Sequence, residues 1–191
     1  MIHPTADVAP EARIGAGTRI WHQAQVREGA VVGEECVLGK GSYVDKDVRI
    51  GARVKLQNGA QVFHGATLED GVFVGPGAVI ANDRYPRSIN PDGTLKSDAD
   101  WPEGNVLVRY GASIGAGAVV VPEATIGRWA MVAAGAVVSG DVPDHALVAG
   151  QPARRIGWVC KCGRRLRRSG DEWTCPACAG TYRFQEAEVP S

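Results

Sequence analysis

From Val8 to Ile80 an aliphatic residue returns at every sixth position: Val8, Ile14, Ile20, Val26, Val32, Leu38, Val44, Ile50, Leu56, Val62, Leu68, Val74 and Ile80. Two positions before most of them stands a small residue, among them Ala6, Ala12, Thr18, Ala24, Ala30, Cys36, Ser42, Ala60, Ala66 and Ala78. Glycine follows the aliphatic residue (Gly15, Gly33, Gly39, Gly51, Gly75) or precedes it by three (Gly17, Gly29, Gly41, Gly59, Gly65, Gly71, Gly77). A period of six suits neither a 3.6-residue helix nor a long two-residue alternation. It predicts a short strand and a tight corner, repeated as a solenoid of hexapeptides. The aliphatic residue then faces inward, and the small residue sits where backbones crowd.

The rule fails between Asn82 and about Asn105. Ile80 to Val108 is 28 positions, not a multiple of six, so an excursion of some twenty residues, about 82–106, leaves the coil. Pro86, Pro91, Asp92-Gly93 and Pro102 argue against regular structure in it. It carries Arg84, Tyr85, Arg87, Lys96 and Trp101, which suit a lid over an anionic ligand. The hexad resumes at Val108, Ile114, Val120, Ile126, Val132 and Val138, with alanines in the small slots. At Ile20-Trp21-His22 a bulky pair takes an outward corner, where packing against another subunit is expected.

The repeat resembles the left-handed parallel β-helix of hexapeptide-repeat acyltransferases, in which three hexads make one triangular coil. The resemblance implies the left hand, since parallel crossovers are otherwise right-handed. Residues 18 apart then stack about 4.8 Å apart. Ile20-Trp21-His22, Val54-Lys55-Leu56-Gln57-Asn58, the run from Gly65 to Pro76, Asn82 and Pro86-Arg87 are similar to one branch of these enzymes. That branch comprises N-acetyltransferases of nucleotide-linked 3-amino sugars, of the UDP-2-acetamido-3-amino-2,3-dideoxy-glucuronate type. Phe63-His64 and Asp83-Arg84-Tyr85 depart from its pattern. Gly150-Gln151-Pro152-Ala153-Arg154-Arg155 resembles the segment that closes many such coils near the coenzyme A nucleotide.

The expected architecture is therefore all-β: a β-helix over 1–157 with an excursion loop, then a different segment. Cys160, Cys162, Cys175 and Cys178 are four of the five cysteines, packed into 19 residues. Two thiol pairs at this spacing match tetrahedral zinc ligation in a ribbon over 158–184; disulfides are the alternative, disfavoured where thiols are kept reduced. Such a small segment needs a staple. Residues 185–191 read as a loose tail. Cys36 occupies a small-residue slot and reads as structural.

Among the 191 residues, Lys+Arg and Asp+Glu balance at 21 each, which argues against a general nucleic-acid binder. The ribbon arginines Arg164, Arg165, Arg167 and Arg168 read as a solvated face. No apolar run is long enough to span a bilayer, and the start is unlike a signal peptide, so a cytoplasmic protein is expected.

The resemblance implies acetyl transfer from acetyl-CoA to the amine of a nucleotide-linked amino sugar, in a homotrimer with sites between subunits. It places Asn82 and Glu69 at the sugar; His64, which the family does not require, is a candidate base because an imidazole suits that task. His22, Arg84, Tyr85 and Arg87 become substrate contacts, and Ala116, Ala134, Arg154 and Arg155 coenzyme contacts. His64 and Asn82 are 18 apart and are expected to stack. Asn82 ranks ahead of His64, with the substrate amine expected to set the pH profile. The alternatives are O-acetylation of a sugar or other small alcohol, or a non-catalytic scaffold whose ribbon recruits a partner.

Overall fold

The computed structural model describes residues 1–102 and 104–184. The fold is a parallel β-solenoid built from strands mostly two residues long, arranged in faces of seven, six and eight strands. Successive hexads visit the three faces in turn: Asp7–Val8 opens the seven-stranded face, Arg13–Ile14 the six-stranded one and Arg19–Ile20 the eight-stranded one. Strands pair with partners 18 positions on, as in Arg19 with Val37 and Gln25 with Tyr43.

The inward residues form one continuous core. Ile20, Leu38, Leu56, Val74, Ile114 and Val132 stack on the eight-stranded face, each at most 1% exposed. The preceding slot holds buried alanine along most of the coil, yet also accepts Val48, Val54, Val72 and Val106. Cys36 fills one such slot; its Sγ accepts the Val54 amide at 3.4 Å and lies 3.1 Å from the Gly51 carbonyl. Burial pushes its thiol pKa up, as befits an inert core residue.

Most corners use a left-handed residue three positions before the inward one, and not all of these are glycine. Gln23, Glu35, Asp47, Arg53, Glu123, Trp129 and His145 all adopt φ between 56° and 70°. Trp129 is the bulkiest of these, at a cost of about 1–2 kcal/mol. Its ring lies against Gly111, where a Cβ would meet it at 2.6 Å, and edge-on to Tyr110 at 5.3 Å between centroids.

The excursion leaves the coil intact. Gln61 pairs with Val79 at the usual spacing of 18, whereas Leu68 pairs with Val108 at 40, an insertion of 22 residues. The Asn82 carbonyl accepts the Gly104 amide at 3.2 Å and closes its neck. The excursion also has more structure than its prolines lead one to expect. Asn90-Pro91-Asp92-Gly93 forms a turn, the Gly93 amide donating to the Asn90 carbonyl at 2.9 Å. Proline at the second position and glycine at φ 86° suit that turn, and Ile89 bridges Leu95 beneath it. A 3-10 turn spans Asp98–Asp100.

The last coil is two residues short, since Ile126 bridges Val142 and Val132 pairs with Val148. Asp141 and Asp144 fill the gap by accepting the amides of Thr125 and Arg128 at 2.8 and 2.6 Å. Ala146–Gly150 then turns back into Ala153–Trp158, which pairs antiparallel and ends the eight-stranded face. Beyond it lies a three-stranded antiparallel sheet of Arg167–Ser169, Glu172–Thr174 and Thr181–Tyr182. Trp158 stacks on Phe184 at 4.1 Å, and Cys160, Leu166 and Cys175 are continuous with the solenoid core. This small sheet thus covers a coil end that would otherwise expose unpaired backbone. The tail expected at 185–191 lies outside the described residues. Among the described residues, no helix is long and apolar enough to cross a membrane.

Candidate functional site

The corner between the seven- and six-stranded faces carries a dense polar network around Asp45. Asp45 follows the inward Val44 and is 7% exposed. Its Oδ1 accepts from Arg27 (3.0 Å), the Tyr43 hydroxyl (2.8 Å) and the Lys46 amide (2.8 Å), while Oδ2 accepts the His64 amide (3.2 Å). Burial works against ionisation, but the amides, the hydroxyl and the guanidinium together hold this carboxyl below its usual range. Burial also raises the Tyr43 phenol pKa. Sequence reasoning missed Asp45; the signal was Arg27, 18 positions earlier and in register.

His64 is half-buried one coil further on, and its Nδ1 lies 2.8 Å from the Lys46 carbonyl oxygen. A carbonyl only accepts, so this contact assigns the proton to Nδ1, and the neutral ring's basic nitrogen is Nε2. Asn82 follows Ile80 as His64 follows Val62, and Val62 pairs with Ile80, so the two residues occupy stacked positions on one corner. Here the excursion departs.

The loop cations have partners. Arg84 pairs with Glu123 and lies 5.6 Å from the Tyr85 ring centroid, while Arg87 donates to the Pro86 carbonyl at 3.1 Å. Asp83, Arg84, Pro122, Glu123 and Ser139 line a cleft of about 340 Å³ beside them. Asp83 Oδ1 and Arg109 Nε are buried polar atoms without a hydrogen-bond partner among the described residues. Tyr85, Ile89, Leu95 and Trp101 remain well exposed.

The other candidates stand elsewhere. Glu69 follows the strand Ala66–Leu68 and so sits at the next corner, five residues along the chain from His64. Its Oε2 accepts the Tyr110 amide at 2.8 Å. The third corner carries Pro76, Ala116 and Ala134, exposed on successive coils between glycines or alanines, a smooth ledge along which a flexible arm can lie. His22 belongs to the same corner three coils before Pro76, about 14 Å away. It stacks on His3 at 3.5 Å and joins Trp21, Lys40 and Asn58 around a cleft of about 290 Å³. Arg154 and Arg155 lie on the closing strand beside a cleft of about 300 Å³, with Arg155 over the Trp158 ring at 4.4 Å.

The cysteines converge as their spacing predicts. The sulfurs of Cys160, Cys162, Cys175 and Cys178 all lie within 4.8 Å of one another, and none is disulfide-bonded. The Cys160–Cys178 and Cys162–Cys175 separations are 3.4 and 3.5 Å, near the edge of about 3.8 Å for a tetrahedron with 2.3 Å metal–sulfur bonds. The Tyr182 hydroxyl is 3.1 Å from Cys160 Sγ. Burial opposes ionisation of Cys160, yet the Cys162 amide and the Tyr182 hydroxyl pull its pKa down to about 6. Against the Gly180 amide, the crowding thiols push Cys178 up to about 12. Four thiolates cannot share this space without a cation, so the donor set fits a metal site.

Comparison with known proteins agrees with the coil. Residues 11–46 match the family described as bacterial transferase hexapeptide (six repeats). The dTDP-3-amino-3,6-dideoxy-alpha-D-galactopyranose 3-N-acetyltransferase of Aneurinibacillus thermoaerophilus is 43% identical over 86 residues, 45% of this chain and 44% of that protein. Serine acetyltransferase of Escherichia coli (strain K12) is 42% identical over 81 residues, covering 42% of this chain and 29% of that one. Among solved structures, perosamine N-acetyltransferase from Caulobacter crescentus, in complex with CoA and GDP-perosamine, has a TM-score of 0.52 at 27% identity. That match covers 82% of this chain and 55% of the other. The chain thus spans less than half the length of these two curated relatives. Repeat and register make the chain a parallel β-solenoid of hexapeptide repeats, and its coil is similar to those of bacterial hexapeptide transferases and sugar N-acetyltransferases.

Proposed function

We propose that this protein is an acetyl-CoA-dependent N-acetyltransferase acting on the amino group of a nucleotide-linked amino sugar. The carrying observation is the corner where His64, anchored through Nδ1, and Asn82 stack at the neck of an arginine-bearing excursion. The coil resembles that of an enzyme solved with CoA and GDP-perosamine.

In this reading the sugar amine attacks the thioester carbonyl, a tetrahedral oxyanion forms, and the coenzyme thiolate leaves. His64 Nε2 takes the ammonium proton, because its ring is fixed by Lys46 and its backbone by Asp45. The sequence alone ranked Asn82 higher; the anchored tautomer brings His64 forward. Asn82 holds the sugar by hydrogen bonding, and alignment of the two reactants supplies much of the rate. Glu69 is assigned to holding the second corner, since its carboxylate accepts the Tyr110 amide. Arg84, released from Glu123, and Arg87 meet the nucleotide phosphates, with Tyr85 beside them; His22 contacts substrate from a neighbouring copy. Ala116 and Ala134 flank the pantetheine arm, and Arg154 and Arg155 meet the coenzyme's phosphates.

These groups lie on different corners, so the site is complete only between copies, and a homotrimer is the assembly that closes it. Cys160, Cys162, Cys175 and Cys178 hold one structural zinc, which leaves no ligand position open to substrate. A reducing cytoplasm suits four free thiols.

O-acetylation of a small alcohol is the second reading, favoured by the similarity to serine acetyltransferase. A panel of nucleotide-linked amino sugars and serine, each with acetyl-CoA and scored by thiol release, separates the two. Release with serine alone would overturn the N-acetyl reading.

A further inference from the structure

The strand that carries Arg154 and Arg155 runs directly into the metal site. Ala153–Trp158 pairs with the solenoid on one side only, through Ala146–Gly150. Two residues beyond its end stands Cys160, the first of the four clustered thiols. The ribbon grips the strand at three levels. Arg165 donates to the Ile156 carbonyl at 2.5 Å, its guanidinium against Gly157, where a Cβ would come within 3.0 Å of Nε. The Leu166 amide donates to the Trp158 carbonyl at 2.8 Å. Phe184 stacks on Trp158 at 4.1 Å and 11°.

A continuous series of contacts follows. Cys160 Sγ meets the Tyr182 hydroxyl at 3.1 Å, the Tyr182 and Phe184 rings are 5.8 Å apart, Phe184 stacks on Trp158, and Trp158 carries the Arg155 guanidinium at 4.4 Å. Tyr182 and Phe184 reach that position only if the chain returns from Cys178 to the Cys160 knuckle, which is what four-thiolate ligation enforces. A segment this small has little core of its own to hold the return without the metal.

We propose that the metal-bound ribbon positions Arg155, on the strand that also bears Arg154, for the coenzyme's phosphates, so that metal occupancy sets acyl-CoA affinity without touching the sugar site. This rests on the acetyl-CoA reading above. Arg155 is aimed by stacking on a ring held from behind. The sugar-site candidates His64 and Asn82 stand on other coils and make no contact in this series.

The test uses the whole 191-residue chain with its zinc content measured, in four forms: as isolated, chelator-treated, Phe184→Leu and Phe184→Tyr, the variants keeping all four cysteines. Calorimetry gives affinities for CoA, for pantetheine (which lacks the phosphates) and for a nucleotide-linked amino sugar accepted by the protein. Metal removal is expected to weaken CoA at least tenfold, with pantetheine and sugar unchanged. Phe184→Leu is expected to weaken CoA several-fold at full zinc content, with Phe184→Tyr restoring it. Equal CoA affinity with and without metal would overturn the coupling while leaving the acetyl-CoA reading intact. Parallel loss of CoA, pantetheine and sugar would make the ribbon a fold cap only and overturn it as well. Failure of the zinc-loaded protein to bind CoA would overturn both.

Discussion

Asp45 Oδ2 accepts the backbone amide of His64 at 3.2 Å, although the two stand 19 positions apart in sequence. The solenoid makes them neighbours, and the same carboxylate gathers Arg27 and Tyr43 from its own and the preceding coil. A buried charge thereby fixes the backbone of the candidate base.

That carboxyl predicts a pH dependence of stability. Its folded pKa is depressed, so its stabilisation is present above the unfolded value of about 3.9 and is lost as pH falls through the folded one. Asp45→Asn is expected to destabilise by about 1–3 kcal/mol near neutrality, with the difference from wild type shrinking below about pH 4. Denaturant melts at pH 7 and pH 3 check this; an equal difference at both pH values would contradict it.

His64→Gln is expected to lower turnover by about 10²–10⁴ and to remove the acidic rate step from the pH profile. The measurement is a full pH profile of kcat/KM. If the step survives in the variant, the substrate amine sets the profile and His64 is not the base.

Asn82→Ala is expected to raise the sugar KM and cut turnover by about 10²–10³, while the basic limb of the profile stays where it is. Steady-state kinetics with each substrate varied in turn checks the split. An unchanged sugar KM would move Asn82 out of the sugar site.

Cys175→Ser is expected to abolish stoichiometric zinc, one ion per chain in the parent protein by elemental analysis. Parent protein without zinc, or a variant that retains it, would refute the four-thiolate site.

Sedimentation is expected to give a trimer, because the candidate residues of one chain occupy separate corners. Mixing an inactive Asn82→Ala chain with an inactive Arg155→Ala chain should then restore part of the activity, if these residues come from different copies. A fully active monomer would end this line of argument.

Much of the fold was legible because a solenoid is a one-dimensional object: a single inward residue per hexad dictates face, register and core together. The left-handed corner position was only half legible. Glycine marks it in many coils, but Gln23, Trp129 and His145 adopt the same φ because the neighbouring coils over-determine it. The cysteine cluster was legible from spacing alone. Asp45 was hidden, since an aspartate beside an inward valine resembles any solvated corner until Arg27 and Tyr43 are stacked around it. Nor did the sequence reveal that Arg84 is ion-paired with Glu123, because the two residues come together only where the excursion folds over a later coil.

The neck of the excursion has an evolutionary and engineering consequence. Its two ends meet at one hydrogen bond between Asn82 and Gly104, and the strands on either side keep their pairing across the 22 added residues. A segment whose entry and exit coincide can be exchanged, lengthened or rewritten without asking the coil to refold. Under the function proposed above, with the excursion over the acceptor, acceptor preference and scaffold stability would be inherited separately, and grafting another excursion between these two residues would be a practical route to new acceptors.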